Sequence, residues 1–448
     1  MTHRAATTGL ALAACLLLGL AAAARADWLQ PDPSYREQQM LLRLAARDTT
    51  GHADDPGRLD SLGAVLLKLA RLDEAERVFR RSLELRPGGD AAKAALGKLA
   101  LFDDRLGEAE SLLAGAAAEP GAAADLFAAR IRRGEYAEAA ARARDANQEG
   151  YGPLLERMAA QPVYAVAPGR DHASLMWESA YPVPLVRVKL NGQSVLMGID
   201  TGIGDLLIDE SAARLSRIER VPAQRVEFWC GSRVAVRNAI VQRLEIGGLR
   251  IERLPAGTLS LRRWSVEVHP HSEPVAGIIG LNLLRRFTST LDYRNQRLEL
   301  RPLDAPLAVS NDASRVPFQI WGVNELTVFG SLAGSRRMAL VVQTGVPGCG
   351  VGAPSEVFDE IGVKPGRLSR LAKGAGSFLQ GRPWTAVVVP AVVVGPVAKD
   401  QVPGWLGALD SSELWRHGVR RDALLSSEFF RGRRVTIDWR ARELVFEE

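Results

Sequence analysis

Cysteine and histidine are scarce in this chain of 448 residues, which contains three cysteines and six histidines. The cysteines are Cys15, Cys230 and Cys349. Once Cys15 is lost with the leader predicted below, the other two form either one disulfide or two separate thiols. His269 and His271 flank a proline, but no third ligand follows at a helpful spacing, so a surface loop is the simpler interpretation. We therefore predict no metal site and no cofactor.

Other absences narrow the class of protein. Beyond the N-terminal leader, no apolar run is long enough to span a bilayer, so no integral membrane segment is expected. The net charge is only +5, and the basic residues do not cluster with aromatic ones as in nucleic-acid binders. The chain lacks the Gly-x-Ser-x-Gly of nucleophile-elbow hydrolases. The Gly-rich segment GVPGCGVG at 345–352 lacks the lysine and the hydroxyl residue of a phosphate-binding loop.

The N-terminus has the pattern of an export signal. A short basic start precedes an apolar core, and Ala24-Arg25-Ala26 supplies a small-residue cleavage site. Residues 1–26 are therefore predicted to be removed, which implies a periplasmic or secreted protein. The segment around Cys15 also resembles a lipobox, but the apolar run continues beyond it, where a lipidated mature end turns polar. Lipidation at Cys15 is the alternative.

Residues 27–160 are rich in Ala, Leu, Arg and Glu with apolar spacing of three and four, which predicts an all-α region. Gly63 and Gly97, and likewise Ala75 and Ala109, are 34 positions apart. This period resembles that of tetratricopeptide repeats. The resemblance implies that Gly63 and Ala75 let paired helices approach closely, that Phe79 packs between repeats, and that the array offers a concave face to a peptide or protein partner.

The composition changes at residues 161–180, where Pro, Gly and aromatic residues indicate a linker or strap. Alternation in twos follows, which predicts strands. LVRVKLNGQSVLMGIDTG contains two such runs joined by Asn191-Gly192, a favoured hairpin turn. LTVFGSLAGSRRMALVVQTG repeats the pattern with its turn at 333–335. We predict one β unit written twice, as lobes at 181–304 and 305–448, with PGWLGALDSSEL of the second matching AGIIGLNLLRRF of the first.

These two units resemble retropepsin-type lobes, and the pair resembles a single-chain, two-lobed aspartic protease. The resemblance is based on the apolar residues before Asp200-Thr201-Gly202, on Ile278-Ile279-Gly280, and on the strand-rich ending LLRRFTSTLDYRNQRLEL. It implies a multidomain fold: a helical-repeat array followed by a mainly-β, duplicated pepsin-like domain. It also implies a peptide or protein substrate and a cleft between the lobes.

In this family two aspartates share one proton and activate a water molecule. The resemblance assigns that role to Asp200, with Thr201 bonding across to the other lobe and Gly202 allowing close backbone approach. Thr344 and Gly345 fill the matching places in the second lobe. Flaps that cover the cleft are expected some 25–35 residues beyond each triplet. The candidates are Cys230-Gly231 in the first lobe, and Gly374 with Gly376 in the second.

Gln343 occupies the position of the second catalytic aspartate. Its neutral amide donates and accepts hydrogen bonds but cannot carry the shared proton, and it is one methylene longer. Asp200 alone is expected to have a pKa of ~4, like an ordinary carboxylate. Asp205 and Asp209 are interpreted as solvated turn acids, and the acids that close the later strands, at 292 and 438, as structural.

Three hypotheses follow. In the first, the protein is an exported aspartic-type endopeptidase, in which Asp200 works with the Gln343 amide or with another nearby acid. In the second, it is a pseudo-protease that holds a peptide or protein partner in the cleft and on the helical repeats. In the third, the first lobes of two chains pair to restore two aspartates, which requires both second lobes to be displaced. Retention of the complete Asp-Thr-Gly triplet favours the first.

Overall fold

The computed structural model describes residues 35–49, 54–229, 232–270, 272–366 and 384–448. Helices occupy the first third of this part of the chain, and strands dominate the remainder. The predicted leader with Cys15 lies outside the described residues. Among the residues described, every helix is too short or too polar to cross a membrane.

Eight α-helices, here called the helical array, precede the strands in the described residues. Alanine and leucine at helical spacing form them, and caps define their ends; the Asp55 carboxylate, for example, accepts bonds from the amides of Gly57 and Arg58 at 2.8 and 3.2 Å. The helices are α1 Tyr35–Thr49, α2 Pro56–Lys68, α3 Leu72–Leu85, α4 Asp90–Phe102, α5 Leu106–Ala114, α6 Ala122–Arg133, α7 Tyr136–Ala141 and α8 Gly152–Ala160, with a 3-10 turn at Glu149–Tyr151 before α8.

Consecutive helices pack as pairs through glycine. A Cβ atom on Gly63 of α2 would lie 2.8 Å from the Phe79 ring of α3. The same holds one pair later, where a Cβ atom on Gly97 of α4 would lie 2.7 Å from Leu113 of α5. Gly63, predicted to allow close helix approach, therefore does so, and Ala75, the other position predicted for this role, is fully buried. The assignment of these pairs to tetratricopeptide repeats stays a prediction.

Twenty strands within the described residues form two sheets. The strands are β1 Ala165–Val166, β2 Ala173–Met176, β3 Leu185–Leu190, β4 Gln193–Ile199, β5 Leu206–Asp209, β6 Glu219–Trp229, β7 Ser232–Ile246, β8 Leu249–Leu259, β9 Gly277–Ile279, β10 Thr288–Asp292, β11 Arg297–Arg301, β12 Ser314–Trp321, β13 Glu325–Leu332, β14 Met338–Val342, β15 Val351–Ala353, β16 Thr385–Val394, β17 Val397–Leu406, β18 Ala423–Leu425, β19 Arg434–Asp438 and β20 Glu443–Glu447. Strands β3–β11 are called the first β unit and β12–β20 the second. Short helices between strands are α9 Glu210–Leu215, α10 Arg262–Val268, α11 Leu281–Leu284, α12 Ser355–Glu360 and α13 Ser427–Phe430, and a 3-10 turn covers Ser411–Glu413.

The strand order is β1-β8-β5-β9-β4-β3-β7-β6 in the first sheet and β14-β18-β15-β17-β16-β13-β12-β20-β19-β10-β11-β2 in the second. Both predicted hairpins form, β3–β4 around Asn191-Gly192 and β13–β14 around 333–335. Asn191 and Ala333 both adopt positive φ, which such tight turns require. The 161–180 segment supplies β1 to one sheet and β2 to the other.

The two β units share a pattern of pairing. In the first, β4 runs parallel to β9, β9 antiparallel to β5, and β5 parallel to β8. In the second, β14 runs parallel to β18, β18 antiparallel to β15, and β15 parallel to β17. One sequence match proposed above is wrong: the partner of β14 is Ala423–Leu425, whereas 403–406 ends β17. Similar Gly-x-x-Gly spacing misled that match, because neighbouring strands decide equivalence.

Strands from both β units pair within the second sheet. β10 pairs antiparallel with β19, and Thr290 and Thr436 face each other with hydroxyl oxygens 2.8 Å apart. Asp292 and Asp438 close these strands by accepting backbone amides two and three residues on. Their predicted structural role agrees with these contacts. The shared sheet ties the two units together.

The helical array packs against both β units. Phe102 stacks on Trp321 of β12 with centroids 4.9 Å apart, and the guanidinium of Arg132, almost completely buried, donates to the carbonyls of Ile320 and Gly322. On the first unit, the Asn238 amide donates to the Gly150 carbonyl at 2.7 Å. These contacts connect the helical array to both β units.

Candidate active site

Each of the two triplets begins directly after a strand. Asp200-Thr201-Gly202 follows β4, and Gln343-Thr344-Gly345 follows β14. The Asp200 amide donates to the carbonyl of Ile279 at 3.0 Å, and the Gln343 amide donates to that of Leu425 at 2.9 Å. Each triplet is therefore held by the strand that runs parallel to the one before it. All four side chains of the first two positions in each loop are at most 1% exposed.

The two threonines join the loops by a reciprocal set of hydrogen bonds. The Thr201 hydroxyl donates to the Val342 carbonyl at 2.7 Å and accepts the Thr344 amide at 3.2 Å. The Thr344 hydroxyl donates to the Ile199 carbonyl at 3.2 Å and accepts the Thr201 amide at 3.1 Å. The predicted bond from Thr201 across to the other unit is present, and its mirror image exists as well.

The glycines let each loop pack against the first side chain of the other triplet. A Cβ atom on Gly202 would lie 2.3 Å from Cγ of Gln343, and one on Gly345 would lie 2.3 Å from Oδ2 of Asp200. Neither glycine has room for a side chain. The Asp200 and Gln343 side chains thus lie side by side across the junction of the two units.

The Asp200 carboxyl group is completely buried, and only one of its two oxygens accepts hydrogen bonds from the described residues. Its Oδ1 accepts the amides of Gly202 and Gly345 at 2.8 and 3.1 Å, and its Oδ2 accepts no hydrogen bond from the described residues. Burial raises the pKa of Asp200 to about 6, although the two amides and the nearby Gln343 side chain oppose the rise. The expectation of an ordinary carboxylate pKa was wrong, because the loops exclude water from this group.

The Gln343 side chain mirrors this arrangement without the charge. It is 1% exposed, and its Nε2 has no hydrogen-bond acceptor among the described residues. A buried acceptor on Asp200 and a buried donor on Gln343 therefore lie at one place. Buried polar groups are rarely left unpaired in proteins, so this pair marks a position suited to a polar ligand.

A tryptophan that the sequence did not single out supports the second loop. Trp264 of α10 is buried, and its indole N–H donates to the Gly345 carbonyl at 3.3 Å. It packs against β4 at Gly198, where a Cβ atom would lie 2.5 Å from its ring. Nothing local in the sequence marks it, because its partners are distant along the chain.

The long hairpin β6–β7 approaches this tryptophan. Trp229, at the end of β6, packs on Trp264 with ring centroids 6.0 Å apart. Arg233, near the start of β7, pairs with Glu413 of the second β unit at 2.9 Å. The hairpin thus extends from the first unit to the second beside the loops. Its predicted flap residues, Cys230 and Gly231, lie outside the described residues, as do Gly374 and Gly376.

Asp205 is not the solvated acid that the sequence suggested. It is 2% exposed and accepts bonds from the hydroxyls of Tyr151 and Tyr164 at 2.8 and 3.0 Å and from the Asn282 amide at 2.9 Å. The Arg225 guanidinium of the hairpin pairs with it at 3.2 Å. Burial raises the pKa of both tyrosines well above the usual value, which keeps them as donors. These partners come from distant segments, so no sequence signal identified the cluster.

Other predicted features carry less chemistry. Cys349 is a buried free thiol, and burial raises its pKa. His269 contacts the Glu273 carbonyl at 3.1 Å through its ring. Within the described ranges, no group of three His, Cys, Asp or Glu side chains is placed to hold a metal ion. Asp209 caps α9 by accepting the Ser211 amide at 2.8 Å.

A comparison with known protein families finds a match for the part of the chain that contains the first of the two loops. Residues 186–283 match the aspartyl protease family. The aspartyl protease match includes Asp200-Thr201-Gly202 and Ile278-Ile279-Gly280 and ends before Gln343. No curated protein matches the chain. Among solved structures, the chain is similar to the crystal structure of Basic 7S globulin from soybean, with 10% identity, a TM-score of 0.35, and coverage of 64% of this chain and 95% of that one.

Proposed function

We propose that this protein is an aspartic-type endopeptidase that hydrolyses peptide or protein chains with one carboxyl group, that of Asp200. The observation that carries the proposal is the junction of the two triplets. The reciprocal threonine bonds join the two triplets, and each triplet carries a buried polar atom, Oδ2 of Asp200 and Nε2 of Gln343, that has no hydrogen-bond partner among the described residues. This is the arrangement that activation of a water molecule requires.

In the proposed mechanism Asp200 acts first as a base and then as an acid. Ionised Asp200 takes a proton from a water molecule while the water oxygen attacks the carbonyl carbon of the peptide bond. The Gln343 amide donates a hydrogen bond to the carbonyl oxygen as negative charge develops there. Protonated Asp200 then delivers its proton to the leaving nitrogen as the C–N bond breaks. One carboxyl group thus completes the proton balance that two share in a dyad.

The pH dependence of this mechanism differs from that of a shared-proton dyad. Asp200 must be ionised to accept a proton, and burial raises its pKa to about 6. We therefore expect cleavage to increase as the pH rises through about 6. A dyad of two carboxyl groups instead requires that one of them stay protonated.

The test is cleavage of an unfolded protein by the full chain between pH 4 and 8, followed by mass spectrometry. We expect slow cleavage that Asp200→Asn abolishes, with a loss of about 10²-fold or more, since the amide cannot accept the proton. Equal cleavage by wild type and Asp200→Asn would contradict the proposal. Substitution of the exposed Asp304 by Asn is the control and should leave the rate unchanged.

A second candidate function is peptide binding without cleavage, and Gln343 is the observation that favours it. With no second acid, the protonated form needed to polarise the carbonyl is missing, while the threonine bonds that shape the site remain. In that case wild type cuts nothing, and Asp200→Asn leaves peptide binding intact. The assay above distinguishes the two.

The wider setting of the site is also part of the proposal. The shared pairing pattern of the two β units supports a duplicated, two-lobed origin. The N-terminal pattern supports export to the periplasm or beyond. The contacts of the helical array with both units support a brace that holds the lobes in place. Alternatively, the helical array binds a protein partner on the face that does not contact the β units.

A further inference from the structure

The loop that carries Asp200 continues to Asp205, directly before β5, and the Asp205 side chain is buried. Near this end, the Gly204 carbonyl accepts the Asn282 amide at 2.9 Å, and the side-chain amide of Asn282 donates to Asp205 at 2.9 Å. Gly202 lies inside the same loop and donates its amide to Oδ1 of Asp200 at 2.8 Å. The position of the loop therefore affects how Asp200 is held.

The helical array contacts the Asp205 carboxylate through Tyr151, the last residue of the 3-10 turn before α8. The Tyr151 hydroxyl donates to Oδ2 of Asp205 at 2.8 Å. The guanidinium of Arg225, from β6, donates to the same oxygen at 3.2 Å and lies over the tyrosine ring, 5.0 Å from its centroid. Hydrogen bonds to an ionised acceptor are stronger than neutral ones, so this buried oxygen fixes the tyrosine and the arginine together.

The same turn of the array holds the base of the β6–β7 hairpin. The Gly150 carbonyl accepts the Asn238 side-chain amide at 2.7 Å, and the carbonyl oxygen of Asn238 accepts a bond from Arg225 at 2.8 Å. Gly150 has no room for a side chain, because a Cβ atom there would collide with the Gln224 carbonyl oxygen. One turn of the helical array is thus bonded to the hairpin and to the loop of Asp200.

We infer that Tyr151 is a positioning residue for Asp200, which it holds indirectly by fixing the Asp205 end of the loop. The inference rests on the proposed function, in which Asp200 must keep its geometry in a site from which bulk water is excluded. Loss of the Tyr151 hydroxyl removes one donor from Asp205 and leaves that end of the loop freer to move. Water then reaches Asp200 more easily, and the geometry of attack is held less well. The helical array is in this way a working part of the site.

Entry of water has its own signature, because the pKa of Asp200 depends on burial. Burial raises that pKa to about 6, and solvation moves it back toward ~4. Burial also raises the pKa of Tyr293, a side chain affected by the charge of Asp200, so Tyr293 stays neutral between pH 4 and 8. Cleavage that requires ionised Asp200 should then begin at a lower pH. A residue that only stabilises the fold would not move this midpoint.

The test is Tyr151→Phe in the full chain, which removes the hydroxyl and keeps the ring under Arg225. Cleavage of an unfolded protein is followed between pH 4 and 8. We expect kcat to fall about tenfold with KM changed less than about twofold, and the pH midpoint to fall by about one unit. Tyr136→Phe is the matched control, since that hydroxyl bonds the array to Arg286 at 3.2 Å rather than to Asp205. It should change neither value, and an unchanged midpoint for folded Tyr151→Phe would overturn the inference.

A second variant reaches the same carboxylate from the segment before the first β unit. The Tyr164 hydroxyl donates to Oδ1 of Asp205 at 3.0 Å. Because it bonds the same group, Tyr164→Phe should move the midpoint in the same direction as Tyr151→Phe, and the double variant should move it further. A shift for Tyr151→Phe alone would contradict a route through Asp205.

A measurement that needs no cleavage separates this inference from the proposed function. The gain in stability from Asp200→Asn at pH 8, compared with that at pH 4, reports how strongly Asp200 is kept from water. In a Tyr151→Phe background this gain should shrink by about half, as measured by urea denaturation. If wild type cuts nothing and the gain shrinks, the peptidase proposal fails and the positioning role stands. If wild type cleaves and the gain is the same in both backgrounds, the peptidase proposal stands and the inference fails.

Discussion

The Asp200 loop and the Gln343 loop have the same frame and different chemistry. Each follows a strand held by a parallel neighbour, each threonine bonds to the other loop, and each glycine packs against the opposite side chain. Only one carries an acid, and only that one lies within the aspartyl protease match. The two loops therefore share their hydrogen-bonded frame and differ in the one side chain that could carry a proton.

The largest effect is expected when the second acid is restored, because this change removes the chemical difference between the two loops. Gln343→Asp places two carboxyl groups in one buried site, where they share a proton. We expect cleavage at pH 4–5 to rise about 10²-fold and to become sensitive to pepstatin. Gln343→Glu is the matched control, since it adds the charge but keeps the longer side chain, and it should gain much less. A rate for Gln343→Asp equal to that of wild type would mean that more than the acid is missing.

Substitution of the two threonines tests whether their hydrogen bonds contribute equally to the free energy of unfolding. Thr201→Val and Thr344→Val each leave one buried carbonyl and one buried amide without a partner. Each should lower the free energy of unfolding by about 2–4 kcal/mol, and the two losses should be similar. Thr→Ser at either position keeps the hydroxyl and should cost much less. Denaturation in urea measures this, and a far smaller loss for Thr344→Val would show that the second loop is not equally held.

The charge on Asp200 should make the acid-bearing loop the less stable one at high pH. A pKa raised by burial to about 6 means that the folded state favours the protonated form. That contribution is complete below pH ~4 and is lost as the pH rises through about 6. Asp200→Asn should therefore match wild type near pH 4 and be about 1–3 kcal/mol more stable at pH 8. Thermal melts at both pH values check this, and an equal difference at both would contradict it.

The glycines test the packing part of the comparison, with an expected effect similar in size to that of Asp200→Asn. Gly202→Ala forces a methyl group against Gln343 and should cost about 1–3 kcal/mol. Adding Gln343→Ala removes the obstructing atoms and should recover most of that loss. Gly345→Ala meets the Asp200 carboxyl group instead, which two backbone amides hold in place. It should cost at least as much, as measured by urea denaturation of the three variants.

The hairpins and the triplets could be predicted from sequence because their signals are local. Asn191-Gly192 favours a tight turn, and alternation predicts the buried and exposed residues of β3 from Val186 to Leu190. It does not predict the burial of β4, in which Leu196–Ile199 are all buried. The partner of β14 could not be predicted, since Ala423–Leu425 is short, apolar and marked by no turn signal. The burial of Asp205 was equally hidden, because Tyr151 and Arg225 reach it from separate segments.

The sequence by itself determined that one hairpin strand ends in Asp-Thr-Gly and another in Gln-Thr-Gly, since each follows from a local pattern and from the choice of one side chain. That the two loops meet was implied only by the family resemblance. Only the tertiary structure decided the pKa and the hydrogen-bond partners of Asp200. Its pKa depends on how completely distant segments exclude water from it, and its partners depend on loops 143 positions apart that meet through two threonines. The tertiary structure also decided that residues of the helical array and of both β units line one cavity of about 720 Å³, because three regions must come together before such a space exists.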